Sequence, residues 1–167
     1  MTHISYIGLG SNLSGDWGNS REILSEVITK LELLGEIQVS RLYSSPPMGP
    51  QDQPDYFNAV VRLVTTLEPL VLLDELQRIE QESGRVRRRH WGERTLDLDL
   101  LLYDDARIQH PRLTVPHVGM AERDFVVLPL LDVATDDVVQ RYQLDCLACI
   151  KQPTAVAIAD ATWYQSI

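Results

Sequence analysis

His90-Trp-Gly-Glu-Arg-Thr-Leu-Asp-Leu-Asp-Leu-Leu-Leu-Tyr103 decides how the rest of the chain is read. From Thr95 onward it alternates polar and apolar, the period of a half-buried strand. Leu96, Leu98, Leu100 and Leu102 are then expected on one face, and Thr95, Asp97 and Asp99 on the other. Two carboxylates at i and i+2 have Cα atoms roughly 7 Å apart, close enough to grip hard cations between them. Arg85, Arg87, Arg88, Arg89 and Arg94 lie just upstream, five of thirteen arginines within ten residues. Paired acids on a buried, central strand are costly without a partner. A cation site beside an arginine cluster is what a polyphosphate needs. Each half alone also has a plainer reading, a solvated Asp-x-Asp edge or a wet arginine face.

Working outward, the elements before this stretch form a regular series. His3 to Leu9 reads as a short apolar strand ended by Gly10-Ser11-Asn12. Gly8-x-Gly10 lacks the third glycine of a dinucleotide fingerprint, so the turn is geometry more than ligand. Asn19 or Ser20 can cap a helix over Arg21 to Leu34, with Ile23, Leu24, Val27, Ile28, Leu31 and Leu34 at helical spacing and Gly35 at its end. Ile37 to Tyr43 alternates as a second strand, and Phe57 to Thr66 is a third. Leu70 to Ser83 is a second helix facing the core through Leu72, Leu73, Leu76 and Ile79, with Gly84 after it.

Between the second and third strands, Ser44 to Tyr56 holds four prolines and one glycine, which exclude helix and strand interiors. Its exit, Tyr56-Phe57-Asn58, supplies aromatic faces and an amide suited to a flat heterocycle with a hydrogen-bonding edge. A stiff loop with a packed tyrosine is the other reading. The order β-α-β-β-α-β is the split βαβ, ferredoxin-like α+β arrangement, with both helices on one face of a mainly antiparallel sheet. The other face is left for ligands.

Beyond Asp104-Asp105 come a short arm, Ile108 to Val115, then Pro116-His117 and a helical stretch around Glu122 to Leu131. Pro129 suggests that this helix ends early or kinks. Val138-Val139, Leu144 to Ile150 and Ala155 to Ile158 are packing elements of unassigned type. Cys146 and Cys149 lack the further ligands of a zinc site and read as packing residues.

The 167 residues are expected to form one domain, with a core over 1–131 and a C-terminal extension over 132–167. A net charge of −9 argues against nucleic-acid or anionic-membrane partners. No apolar run reaches the ~20 residues of a membrane span, and the expected location is cytoplasmic.

Five segments together carry a resemblance. They are Tyr6-Ile-Gly-Leu-Gly-Ser-Asn12, Pro46-Pro-Met-Gly-Pro-Gln-Asp-Gln-Pro-Asp-Tyr-Phe-Asn58, Gly84-Arg-Val-Arg87, Trp91-Gly-Glu-Arg-Thr-Leu-Asp-Leu-Asp99 and Leu113-Thr-Val-Pro-His117. In this order the chain resembles the 6-hydroxymethyl-7,8-dihydropterin pyrophosphokinases of folate biosynthesis, whose fold is ferredoxin-like. The resemblance implies Mg²⁺-dependent transfer of pyrophosphate from ATP, the co-substrate, to the pterin hydroxymethyl group. It assigns Asp97 and Asp99 to two Mg²⁺ ions, and Arg85 and Arg94 to closing on the phosphates. Glu80, Arg87, Trp91, His117 and Arg123 match nucleotide-site residues. Tyr56 and Phe125 match a pair that sandwiches the pterin, Asn58 the amide that reads its edge, and Ser45, Pro46 and Met48 backbone contacts to it. His90 stands where an arginine is common, Val118 where a tyrosine can occur, and the loop from Arg87 to Trp91 is one residue short. A monomer is expected. The same β-α-β-β-α-β order also serves RNA-recognition domains, which the Asn58-Ala-Val-Val run and acidic charge oppose, and catalytically silent ligand-binding modules.

Overall fold

The computed structural model describes residues 1–47, 52–84, 95–147 and 153–165. Thirteen elements follow one another among them, besides two short 3₁₀ turns. They are β1 (His3–Ser11), α1 (Ser20–Glu32), β2 (Glu36–Val39), β3 (Leu42–Ser45), β4 (Tyr56–Thr65), α2 (Pro69–Glu82) and β5 (Asp97–Tyr103). The arm β6 (Ile108–His110) and β7 (Leu113–Val115), three helices α3 (Asp124–Val133), α4 (Asp136–Tyr142) and α5 (Leu144–Leu147), and β8 (Val156–Ala159) complete the order.

The main sheet runs β5-β1-β4-β3-β8, with β2 also paired to β4 and every neighbouring pair antiparallel. This is the strand order of the ferredoxin-like fold. Asn19 caps α1 by accepting from Glu22 N while the Glu22 carboxylate accepts from Asn19 N, a reciprocal capping box. Pro69 occupies the first turn of α2, where no N–H is required. Ile23, Leu24, Val27, Ile28 and Leu31 of α1 join Leu72, Leu73, Leu76 and Ile79 of α2, as their spacing predicts, in one core against Ile7, Leu9, Val61, Leu63, Leu98 and Leu100. Gly35 follows α1 where a Cβ would lie 1.9 Å from the Val64 carbonyl oxygen, so only glycine fits there.

The strand expected over Ile37 to Tyr43 is broken in two. Register passes from Val39 opposite Val61 to Tyr43 opposite Asn58, which inserts one extra residue on this strand. Ser40 fills the bulge. Its Oγ accepts from Val60 N at 2.9 Å, and its carbonyl accepts from Trp163 Nε1 at 2.9 Å. Trp163, nearly fully buried, thereby ties the end of the chain to the sheet.

Three expectations for the acid-bearing stretch are corrected. β5 is an edge strand, not a central one. Two of its backbone groups find partners outside the sheet: Leu98 N donates to Glu80, and the His117 N–H donates to the Leu101 carbonyl at 3.0 Å. The alternation also fails after Leu100. Tyr6 pairs with Leu102 but Ile7 pairs with Leu100, so Leu101 is a bulge residue. One extra residue reverses the faces beyond it. Leu101 and Leu102 therefore pack on the side away from α1 and α2, and Tyr103 turns inward to join the first core. Thr95 departs from the acid face too. It is buried against the turn before α1, where a Cβ on Gly15 would meet its methyl at 2.3 Å.

The second face of the sheet is shared between protein and cleft. Tyr6, Val60, Leu101 and Leu102 form a second core with Leu130 and Val133 of α3, Val138 of α4 and Leu144 of α5. α3 runs through Pro129 to Val133 without the early end its sequence suggests. Burial of Pro129, Leu130 and Val133 against the sheet outweighs the loss of one backbone hydrogen bond. α3 is further fixed by Asp132, which accepts from Arg41 Nε at 3.1 Å and from the Tyr43 hydroxyl at 2.9 Å. Of the C-terminal segments, Val138-Val139 is helical in α4 and Ala155 to Ile158 leads into an added edge strand, β8. Cys149 lies outside the described residues, and the Cys146 backbone is within α5. Among the described residues no helix is long and apolar enough to cross a membrane.

Candidate active site

Where α3 to α5 do not cover the second face, the sheet floors an open cleft of about 640 Å³. Its floor comes from period-2 positions on three strands. Asp97 of β5 lies opposite Gly10 of β1, which lies opposite Asn58 of β4. One step along, Asp99 lies opposite Gly8, which lies opposite Val60. Strands spaced about 4.8 Å apart put Asp97 and Asn58 roughly 10 Å from each other, the span of a two-ring heterocycle with a short arm. The glycines keep the ground between them flat. A Cβ on Gly10 would sit 3.5 Å from Asn58 Oδ1 and 3.8 Å from Tyr56 Cδ1, inside the space a ligand would use.

The remaining walls bring together residues far apart in sequence. Ser45 and Pro46 follow from β3, Tyr56 opens β4, and Arg123, Phe125 and Val126 stand at the start of α3. Asn58 is 4% exposed, and its Nδ2 donates to Ser45 Oγ at 2.7 Å. That bond leaves Oδ1 as the amide's acceptor on the Gly10 side, suited to a ligand N–H. The Arg123 guanidinium carbon lies 5.9 Å from the centre of the Phe125 ring, a cation beside an aromatic face. Gly119 makes room for it, since a Cβ there would fall 2.7 Å from that carbon.

His117 reaches the acids from the segment that covers β5. Gly119 N donates to His117 Nδ1 at 3.1 Å, so the neutral ring carries its proton on Nε2. Nε2 is 3.6 Å from Asp99 Oδ1. The two carboxylates form a pair of hard oxygen donors on one open face, the donor type that Mg²⁺ takes. Among the described residues no group of three or more His, Cys, Asp or Glu converges. Such a cation would complete its shell with phosphate oxygens and water, as magnesium commonly does. The residues fit the ion.

Of the residues singled out from the sequence, Ser45, Pro46, Tyr56, Asn58, Asp97, Asp99, Arg123 and Phe125 line this one cleft, and His117 stands beside Asp99. Met48, Arg85, Arg87, His90, Trp91 and Arg94 lie outside the described residues. Glu80 is not among the cleft's lining residues. Its Oε2 accepts from Leu98 N at 2.8 Å, closing the outer edge of β5 between the two acids. Glu80→Ala is expected to lower stability by about 1–2 kcal/mol, because the strand N–H loses its charged acceptor. Thermal unfolding checks the loss, and unchanged stability with faster amide exchange nowhere in β5 would contradict it.

One feature of the cleft and one contact beside it carry no site signal in the sequence. Gly8 and Gly10 lie within β1 and not in a turn, and their period-2 spacing on an apolar strand marks only a shared face. Asn12 has an anchoring contact, its Nδ2 donating to Gln53 Oε1 and to the Pro54 carbonyl, both at 2.9 Å. It pins the described end of the proline-rich connection to β1.

Comparison with known proteins decides the family. Residues 6–135 match the family described as 7,8-dihydro-6-hydroxymethylpterin-pyrophosphokinase (HPPK). The chain belongs to this family. It is a transferase, a pyrophosphokinase by family. A 2-amino-4-hydroxy-6-hydroxymethyldihydropteridine pyrophosphokinase of Haemophilus influenzae is 52% identical over 140 residues, covering 84% of this chain and 87% of that protein. One of the same name from Synechocystis is 40% identical over 159 residues, covering 93% of this chain and 79% of its own. Among solved structures, a Plasmodium falciparum HPPK-DHPS superposes with a TM-score of 0.65 at 16% identity, over 89% of this chain and 43% of that one. This chain thus spans less than half of that structure, and at such identity the likeness speaks for the HPPK fold alone.

Proposed function

We propose that the chain transfers pyrophosphate from ATP to the hydroxymethyl group of 6-hydroxymethyl-7,8-dihydropterin, giving the pterin diphosphate and AMP in folate biosynthesis. The observation that carries the reading is the row Asp97–Gly10–Asn58 across one cleft floor, with acids at one end and an edge-reading amide at the other. Asn58 Oδ1 would accept from the pterin's N–H edge, and Tyr56 and Phe125 would hold its ring. The hydroxymethyl arm would then point along the glycine floor toward the acids. Its oxygen attacks the β-phosphorus, the bond from that phosphorus to the α–β bridging oxygen breaks, and AMP leaves. The hydroxyl proton is released as the new O–P bond forms.

Such a transfer needs in-line positioning and charge neutralisation more than covalent help. Asp97 and Asp99 would hold two Mg²⁺ ions, which when bound neutralise phosphate charge. Arg85 and Arg94 would close on the phosphates, with Glu80, Arg87, Trp91, His117 and Arg123 around the nucleotide. The Nε2–H of His117 can donate to a phosphate oxygen held near Asp99. Ser45, Pro46 and Met48 complete the pterin side. Residues 1–167 act as one such domain, monomeric and cytoplasmic.

The deciding experiment measures AMP release from ATP with and without the pterin and Mg²⁺. Release that requires both is expected. ATP hydrolysis independent of pterin, or pterin binding without any AMP, would overturn the reading, and the second result would favour a silent binding module.

A further inference from the structure

The cleft wall that carries Arg123 and Phe125 is held from behind by the residue between them. Asp124 is 8% exposed. Its carboxylate accepts from Thr154 N, from Thr154 Oγ1 at 2.8 Å and from Ala155 N at 2.9 Å. Burial alone would raise an aspartate's pKa, but the bonds from Ala155 and Thr154 outweigh it and leave this carboxyl below its ordinary range. Buried and fully bonded, it has the character of a structural latch.

The latch connects both sides of the cleft. Thr154 and Ala155 lead directly into β8, which pairs with β3 through Tyr43 opposite Ala157 and Ser44 opposite Val156. β3 ends at Ser45, which lines the cleft and holds the Asn58 amide. One short segment therefore joins the start of α3 to the strand that presents Ser45. The family match stops at residue 135, so Thr154, Ala155 and β8 all lie beyond it.

We propose that Asp124 is a positioning residue, which through Thr154 and Ala155 locks the start of α3 to β8 and so sets Arg123 and Phe125 over the cleft. In naming the ligand as the pterin, this rests on the pyrophosphokinase reading. The C-terminal extension then serves substrate binding without touching substrate.

The test compares Asp124→Asn, Thr154→Val and Thr154→Ser in the full chain, well below each variant's melting temperature. Asn keeps the shape but turns one acceptor into a donor facing N–H groups, and is expected to raise the pterin dissociation constant about tenfold. Val removes the hydroxyl and should weaken binding severalfold, whereas Ser, which keeps it, should bind as wild type. Amide exchange in ligand-free protein should quicken across both 154–159 and 123–127 in the Asn and Val variants. Faster exchange at 154–159 alone, with pterin affinity unchanged, would overturn the proposal and leave a purely structural latch. Should the Asn variant fail to fold, the Val and Ser pair decides by the same comparison. Wild-type protein that bound no pterin would overturn the pyrophosphokinase reading but not the latch, which exchange across 123–127 decides.

Discussion

Asp97→Asn is expected to lower AMP formation by about 10²–10³-fold while leaving the melting temperature of the metal-free protein unchanged or slightly raised. The two effects separate because asparagine keeps the shape of the side chain and removes one of two like charges, whereas the ligand loses a charged donor. Asp97 and Asp99 are two residues apart on one strand and line one cleft, so their like charges oppose each other in the free protein. Removing one charge relieves that repulsion, and functional sites commonly gain stability in this way when disarmed. The same change removes a hard oxygen donor that a magnesium-bound polyphosphate would use. Asp97 gives the cleaner test of the two acids, because Asp99 also lies 3.6 Å from His117. A polar contact of that exposure is worth at most about 1 kcal/mol, yet it would blur the reading. A sharp drop in melting temperature with most activity retained would mean that Asp97 serves the fold and not the phosphates.

Asn58→Ala is expected to weaken pterin binding by about 10²-fold and to leave ATP binding measured without pterin nearly unchanged. A buried site built to hydrogen-bond a ligand edge loses heavily when its group is removed, because the ligand's polar atoms are left unpaired. Stacking on Tyr56 and Phe125 would survive, and it contributes only about 0.5–1.5 kcal/mol beyond area burial. The variant also strands the Ser45 hydroxyl, which is 1% exposed, so a stability loss of roughly 1–3 kcal/mol should accompany the affinity loss. Calorimetry with each ligand separately distinguishes the two consequences. Equal losses for pterin and ATP would show that Asn58 supports the scaffold, and the edge-reading role would be withdrawn.

Local patterning determined a large part of this protein. Helical spacing identified Ile23 to Leu31 and Leu72 to Ile79 as buried faces, and both pack as expected because amphipathic helices have one way to bury their apolar stripe on a sheet. The capping signal at Asn19 and the terminating Gly84 likewise depend on neighbours in sequence. The acids at Asp97 and Asp99 were legible because alternation assigns them one face, and the amide at Asn58 because it stands at the exit of the proline-rich connection.

Tertiary structure decided what depends on register, edges and crossings between distant segments. No local feature marks Leu101 as the extra residue on β5; the bulge exists only against β1, and it alone turns Leu102 outward and Tyr103 inward. Alternation likewise cannot distinguish a central strand from an edge strand covered by Glu80 and the His117 segment, since both bury their faces. Ser40 breaks the second strand because Val60 and Trp163 bond to it from elsewhere in the chain. The helix through Pro129 survives because packing of Leu130 and Val133 outweighs a local penalty. Asp124 and Thr154 meet across thirty residues, and a carboxylate's partners at that separation are set by the path of the chain and not by its spelling.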